Sequence, residues 1–202
     1  DYLQGAVMVV HTETGALRTI VGGRSYDESN FNRATSALRQ PGSAFKPFIY
    51  LTAIEKGFYP SYVVTDAPVV FYEAGQEPWR PLNYDREFRG PVSLRLALQK
   101  SLNIPTIKVQ EEIGTPDVIR TARTAGIHTP IPEFRSIALG TAEATLQDLC
   151  YAYAVFANNG IRVEPYFVTK VEDQSGNVIR EYRPTQHEVL DPAPVAILDN
   201  MM

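Results

Sequence analysis

Apolar, β-branched residues cluster in two parts of the chain, each divided by a short polar turn, and this pattern predicts two β-hairpins. The runs 5–11 and 16–23 flank Thr-Glu-Thr-Gly, which has turn-forming chemistry. A second hairpin is predicted over residues 161–182, with its turn at the Ser-Gly-Asn of 175–177. Residues 24–38 are polar and have no clear period, so irregular backbone is expected there.

Apolar residues at helical spacing predict the helices. The first begins at or near Ser43 and ends at Gly57, a natural C-terminal stop. Its buried face is predicted to contain Phe45, Phe48, Ile49 and Ala53. Further helices are indicated by Ser93 as an N-cap and by Pro116 at a first helical position. They are predicted over 93–101, 115–127, 145–160 and from Asp191 onward.

Residues 58–91 separate the first two predicted helices. They contain several prolines and aromatic residues with little periodicity, which predicts a long loop or extended segment. A loop of this length in a compact domain is usually functional.

Composition and charge narrow the classes of function. The chain has 202 residues, 44% of them hydrophobic, which suits one domain or one domain with a small appendage. Its net charge is −4 and no block of Lys or Arg occurs, so nucleic acid is not an expected partner. His11, His128 and His187 are far apart and lack ligand spacing, so neither a metal site nor a cofactor is predicted.

The stretch RQPGSAFKPFIYLTAIEKG, residues 39–57, places Ser43 three residues before Lys46. Residues at i and i+3 share a helix face, so the lysine amine would reach the serine hydroxyl. A serine becomes nucleophilic when a base takes its proton, and a lysine with a lowered pKa can be that base. The alternative is an ordinary N-cap serine beside an unrelated lysine, since this short pattern also arises by chance.

A second serine, Ser101, lies in the sequence Ser-Leu-Asn at 101–103. Its hydroxyl can carry a proton between Lys46 and a leaving group, and the Asn103 amide can hold substrate and orient Lys46. The same pattern recurs at 175–177, where a hairpin turn is expected. The motif is therefore weak alone and depends on its context.

Longer stretches around these motifs resemble the transpeptidase domain of class A penicillin-binding proteins. Penicillin-binding proteins and β-lactamases carry the trio Ser-x-x-Lys, Ser-x-Asn and Lys-Thr-Gly. The similar stretches are GAVMVVHTETGALRTIVGG (5–23), FNRATSALRQPGSAFKPFIYLTAIEKG (31–57), WRPLNYDREFRGPVSLRLALQKSLNIPTIKV (79–109) and SIALGTAEATLQDLCYAYAVFANNGIRVEP (136–165). The resemblance implies a mixed α/β (α+β) fold of the penicillin-binding protein and serine β-lactamase type, with helices packed on an antiparallel sheet.

The resemblance also implies roles for four residues. Ser43 would be acylated by peptidoglycan stem peptides that end in D-Ala-D-Ala, with Lys46 as its general base. Ser101 would relay the proton to the departing D-alanine, and Asn103 would bind substrate. An acceptor amine on a second strand would then close a cross-link. β-Lactam antibiotics would acylate Ser43 in a dead-end reaction.

By the same resemblance, the segment with Trp79, Asn83 and Tyr84 runs toward the active-site cleft. Trp79 and Tyr84 are therefore expected to bind substrate, and anchoring of their loop by burial is the alternative. The backbone N–H of Ser43 would supply half of the oxyanion hole.

One part of the resemblance is missing: neither Lys-Thr-Gly nor Lys-Ser-Gly occurs in residues 1–202. These residues are therefore expected to be the N-terminal part of a transpeptidase domain, incomplete without a C-terminal part that carries Lys-Thr-Gly, and with a β-hairpin appendage at about 161–182. The implied parent protein would also be a glycosyltransferase acting on lipid-linked glycan strands. It is expected at the extracytoplasmic face of the cell membrane, periplasmic in a Gram-negative cell, anchored by an N-terminal segment outside this chain.

Three other functions are possible, and two of them would also use Ser43 and Lys46. A serine β-lactamase would need a carboxylate to activate water, and usually an acidic middle residue in the second motif, where Leu102 stands. A β-lactam sensor would be acylated and would transmit a signal. An inactive scaffold of cell-wall assembly would not require an intact set of Ser43, Lys46, Ser101 and Asn103, yet all four are present.

Overall fold

The computed structural model describes residues 2–72, 75 and 77–202. Within them the helices are α1 (Arg33–Ser36), α2 (Lys46–Glu55), α3 (Leu94–Gln99), α4 (Asn103–Ile113), α5 (Thr115–Ala125), α6 (Leu146–Ala157) and α7 (Pro192–Met201), and 3₁₀ turns cover Gly42–Phe45 and Arg135–Leu139. The strands are β1 (Val7–Val10), β2 (Leu17–Val21), β3 (Val63–Asp66), β4 (Gly90–Ser93), β5 (Ile161–Val163), β6 (Lys170–Glu172), β7 (Val178–Glu181) and β8 (Gln186–Glu188). None of the helices in these ranges has both the length and the apolar character needed to cross a membrane.

The predicted mixed α/β composition is confirmed, and the strands of the described residues form two-stranded antiparallel sheets. These sheets pair β1 with β2, β3 with β4, β5 with β8, and β6 with β7. The chain divides into two compact units. The first comprises residues 1–39, 123–129 and 144–192, and the second comprises 40–122, 130–143 and 193–202.

In the first unit, the predicted opening hairpin is confirmed, with Val7 opposite Val21 and Val10 opposite Leu17. Helix α6 packs against β1 and β5. Its start is capped by Thr145, whose hydroxyl accepts a hydrogen bond from the Asp148 N–H at 3.0 Å. The stretch 24–38, predicted to be irregular, contains the one-turn helix α1, because the Asn32 side chain caps the Ala34 N–H.

The second hairpin is shorter than predicted. Its strands β6 and β7 pair as expected, but residues 161–163 form β5 and pair with β8 instead. The turn lies where the sequence placed it. The Asp173 carboxylate accepts hydrogen bonds from the N–H groups of Ser175 and Asn177 and from the Asn177 side chain, at 2.8–2.9 Å. The Ser-Gly-Asn of 175–177 is therefore an ordinary turn motif.

In the second unit, α2 is buried along its whole length from Lys46 to Ile54 and packs against α3 and α4. A buried hydrogen bond of 2.9 Å joins Tyr50 Oη to Thr106 Oγ1. Because the Thr106 hydroxyl proton goes to the Leu102 carbonyl at 2.7 Å, the Tyr50 hydroxyl is the donor to Thr106. Burial raises the pKa of Tyr50, so this donor keeps its proton.

Residues 58–91, predicted to be a long loop or extended segment, contain the strand β3 and the first two residues of β4. Residues 63–66 form β3, which pairs with β4 so that Val63 lies opposite Ser93 and Asp66 opposite Gly90. The strand places Val64 and Asp66 in the interior. The β-branched run Val-Val-Thr favours a strand, but its partner is more than twenty residues away, so local periodicity did not reveal it.

Replacement of Phe48 by alanine should lower the free energy of unfolding by about 3–5 kcal/mol, because the ring is fully buried and leaves a cavity. The matched control is Phe134→Ala, since that ring is 64% exposed and should cost less than about 0.5 kcal/mol. Urea denaturation followed by circular dichroism measures both. Equal effects would contradict the assignment of α2 to the core.

Candidate active site

The segment that carries Ser43 enters α2 through a 3₁₀ turn. Lys46 is the first residue of α2, and its backbone N–H donates to the Ser43 carbonyl. Pro47 follows in the first turn, where no N–H is needed for the helix ladder. This local chemistry leaves Ser43 on the surface while the Lys46 side chain is only 1% exposed.

The amine of Lys46 lies among three oxygens of the second motif. Its Nζ donates to the Ser101 carbonyl at 2.5 Å, to Ser101 Oγ at 3.0 Å and to Asn103 Oδ1 at 2.8 Å. The structure thus brings together Lys46, Ser101 and Asn103, although 55 residues separate the first two.

Burial lowers the pKa of Lys46 from 10.5 to about 8. The cause is desolvation, which disfavours the charged amine. At pH 7, about a tenth of the molecules would hold this amine neutral, which is roughly two to three hundred times the fraction of an ordinary lysine. The amine can therefore act as a base near neutral pH.

Of the three oxygens that accept hydrogen bonds from Lys46, only the Ser101 hydroxyl can also donate one. A neutral amine has two N–H groups, which suit the Ser101 carbonyl and Asn103 Oδ1 because these atoms only accept. Its lone pair then faces the Ser101 hydroxyl, which can donate as well as accept. The arrangement allows a proton to pass between Lys46 and Ser101.

The direct hydrogen bond between Ser43 and Lys46 that the spacing predicted is not found among the described residues. The amine is instead satisfied by the second motif. The Ser43 backbone N–H likewise makes no hydrogen bond in this part of the chain, so it is free to bind an oxyanion.

The backbone beside Ser43 makes a close contact with Gly140, at the end of the second 3₁₀ turn. The N–H of Gly42 donates to the Gly140 carbonyl at 3.2 Å. Gly140 has a φ of +67°, and a Cβ at this position would lie 2.0 Å from the Gly42 carbonyl oxygen. The sequence did not predict that Gly140 lies against Gly42, because no local pattern around Gly140 indicates so distant a contact.

Trp79 and Tyr84, both predicted to bind substrate, have different surroundings in the structure. Trp79 pairs with Phe71 through two backbone hydrogen bonds of 2.9 Å, and their rings are 5.5 Å apart. Trp79 also lines a cavity of about 590 Å³ together with Phe134 and Ser136. Tyr84 is fully exposed at 101%. Neither side chain hydrogen-bonds to Lys46, Ser101 or Asn103 in the described residues, so substrate binding by both stays a prediction.

Comparison with known proteins identifies the family. The model of the penicillin-binding protein transpeptidase domain matches residues 5–202. This chain belongs to that family. The expected resemblance is therefore confirmed.

Relatives and solved structures agree with this assignment. Penicillin-binding protein 1A of Pseudomonas aeruginosa is 42% identical over 183 residues, which are 90% of this chain and 22% of that protein. The crystal structure of penicillin-binding protein 1A from Haemophilus influenzae superposes with a TM-score of 0.93 at 29% identity, over 98% of this chain and 34% of that one. PonA1 of Mycobacterium tuberculosis, solved with penicillin V, gives 0.87 at 26% identity, over 98% of this chain and 56% of that one.

These matches confirm the predicted fold, that of a penicillin-binding protein transpeptidase. The chain spans about a quarter of the length of the curated relatives it matches.

The contact between Gly140 and Gly42 predicts an unusual cost for a single methyl group. Gly140→Ala should destabilise the chain by at least about 1 kcal/mol more than Gly57→Ala. Both positions have positive φ, but a Cβ at Gly57 meets nothing within 4 Å, so the difference isolates the clash with the backbone next to Ser43. Urea denaturation of both variants tests this, and equal losses would refute it.

Proposed function

We propose that the protein is a serine-type peptidoglycan D,D-transpeptidase in which Ser43 is the acylated nucleophile. The observation that carries this proposal is the buried Lys46 amine, one turn from an exposed serine and bound by Ser101 and Asn103. Family membership supports the reaction class. Catalytic hydrogen bonds are commonly long before substrate binds, which is consistent with the separation of Ser43 from Lys46.

In the acylation step, the neutral Lys46 amine takes the proton of the Ser43 hydroxyl. Ser43 Oγ attacks the carbonyl carbon of the terminal D-Ala-D-Ala peptide bond, and the Ser43 N–H stabilises the oxyanion. The proton passes from Lys46 through the Ser101 hydroxyl to the leaving nitrogen. The C–N bond breaks, D-alanine departs as a neutral amine, and an ester to Ser43 remains.

In the second step, an amine of another stem peptide attacks this ester. The Lys46 amine takes the proton that the acceptor loses, and Ser43 Oγ receives a proton as it leaves. The products are a cross-link between two peptides and the free serine. Asn103 binds the donor peptide throughout, and Trp79 and Tyr84 are proposed to contact the peptides from the adjoining loop.

β-Lactams would react with Ser43 in the same way. Attack on the lactam carbonyl opens the ring, and the released amine stays attached to the acyl group on Ser43. The PonA1 structure with penicillin V supports this reading for a protein of the same fold. The complete activity needs a Lys-Thr-Gly strand, which residues 1–202 do not contain. We propose that residues 1–202 form one part of the transpeptidase domain, with the hairpin near 161–182 as its appendage.

The curated relatives are about four times as long as this chain. We therefore also propose two properties for the whole protein that carries this sequence. These are a glycosyltransferase activity on lipid-linked glycan strands and an anchored location at the extracytoplasmic membrane face. The resemblance to class A penicillin-binding proteins suggests them.

Benzylpenicillin should add one stable adduct to the protein that carries this sequence, and the adduct should map to Ser43. Ser43→Ala should abolish it, because no other hydroxyl lies one turn before the buried amine. Ser175→Ala is the matched control and should label like the wild type, since Ser175 belongs to a turn. Intact-mass and peptide mass spectrometry measure these outcomes.

An unlabelled, folded wild type would refute the proposal and favour the scaffold function. An adduct lost within minutes would favour a β-lactamase. A stable adduct without cross-linking of stem peptides by the whole protein would favour a β-lactam sensor.

The rate of acylation should depend on the ionisation of Lys46. Its pKa is lowered to about 8, and only the neutral amine can accept the serine proton. The acylation rate constant should therefore rise about tenfold per pH unit below pH 8 and level off above it. Stopped-flow kinetics with a fluorescent penicillin at pH 6–9 would measure the profile. A flat profile would rule out Lys46 as the titrating base.

A further inference from the structure

Asn83 is a buried amide that caps helix α4 from a distance. Its side chain is 3% exposed, and its Oδ1 accepts hydrogen bonds from the N–H groups of Asn103 at 2.8 Å and Ile104 at 3.2 Å. Leu102, the residue before α4, provides no side-chain cap. Asn83 therefore satisfies two of the N–H groups that the start of a helix leaves unpaired.

Asp66 fixes the orientation of that amide. Its carboxylate is fully buried at the end of β3 and accepts hydrogen bonds from Asn83 Nδ2 at 2.9 and 3.0 Å. The same nitrogen donates to the Glu87 carbonyl at 2.8 Å, and the Arg89 N–H donates to Asp66 at 3.1 Å. Because Nδ2 of Asn83 faces only acceptors and its Oδ1 faces only donors, the reversed amide would lose all of the side-chain hydrogen bonds of Asn83.

The contacts of Asn83 lead to Lys46 through Asn103. The Asn103 N–H donates to Asn83 Oδ1, and the side-chain Nδ2 of Asn103 donates to the Leu82 carbonyl at 2.9 Å. The Oδ1 of the same amide then accepts from Lys46. Ser101 has a φ of +51°, which is unfavourable for a residue with a Cβ, and in this conformation its carbonyl accepts from Lys46 Nζ.

We propose that Asn83, oriented by Asp66, is a positioning residue for the acylation of Ser43. The pair holds the turn at 101–103 so that its oxygens meet the Lys46 amine. This inference rests on the proposed function of Ser43 and Lys46. Asn83 acts through Asn103 and the turn at 101–103. Its loss should therefore slow the acylation of Ser43, an effect that can be measured separately from a loss of stability.

The test compares Asn83→Ala with Thr145→Ala in the protein that carries this sequence. Each variant removes a side-chain oxygen that caps a helix start, and Thr145 lies at α6. For Asn83→Ala, the rate constant of acylation by benzylpenicillin should fall at least tenfold, while the dissociation constant of the initial complex changes less than threefold. For Thr145→Ala, the rate constant should stay within twofold of wild type. Thermal melting of both variants reports the loss of stability.

A reversed pair provides a second test. Asn83→Asp keeps the acceptor for the α4 N–H groups but sets a second carboxylate against Asp66. Adding Asp66→Asn restores a donor between the two side chains, now in the opposite direction, although the Glu87 carbonyl still loses its partner. The double variant should acylate at least threefold faster than Asn83→Asp alone.

Acylation by a folded Asn83→Ala protein within twofold of wild type would overturn the positioning role, as would an equal fall in Thr145→Ala. If Asn83→Ala does not fold, the positioning role is tested by comparing Asn83→Asp with the double variant. It is overturned if the double variant is not acylated faster than Asn83→Asp.

A wild type without a Ser43 adduct would refute the proposed function, not the geometry. The geometry would then be judged from the ¹³Cε titration of Lys46, whose pKa should rise in Asn83→Ala relative to wild type as water enters the loosened turn, because this variant adds no charge. Equal pKa values would overturn the inference.

Discussion

The burial of the Lys46 amine is the constraint on which the rest of the site depends. Water would keep this amine charged, whereas the interior lowers its pKa to about 8 and makes it usable as a base. A buried amine must also be hydrogen-bonded, and the three oxygens at 101–103 provide its partners. One interaction therefore fixes the chemistry of the lysine and joins the two motifs.

Helix packing is what makes this burial possible. Helix α2 is buried on all sides from Lys46 to Ile54, so the lysine at its first position has no route to water along its own helix. The hydrogen bond from Tyr50 to Thr106 ties α2 to α4, and Thr106 in turn holds the Leu102 carbonyl in the middle of the second motif. The core and the candidate site therefore share the same helices, so a core mutation in α2 would also disturb the geometry of the candidate site.

The exposed side of the site is shaped by backbone and not by side chains. Gly42 and Gly140 approach each other so closely that a methyl group at Gly140 would clash with the Gly42 backbone. In the second motif, the backbone of Ser101 has a left-handed conformation, which is also unfavourable for most residues. Strained or tight backbone of this kind is commonly found at functional sites, where surrounding contacts maintain it.

Local sequence determined much of this protein: the opening hairpin, the start of α2 at the Ser-x-x-Lys segment, the caps at Ser93 and Thr145, and the candidate residues Ser43, Lys46, Ser101 and Asn103. These depend on turn chemistry, capping and spacing, all of which act over a few residues. Only the tertiary structure showed β3, the contact of Gly140 with Gly42, and the Asp66–Asn83 support of α4. Each of these joins residues at least seventeen positions apart, and no periodicity or capping signal in the sequence specifies which distant partner a loop glycine or a buried amide will meet.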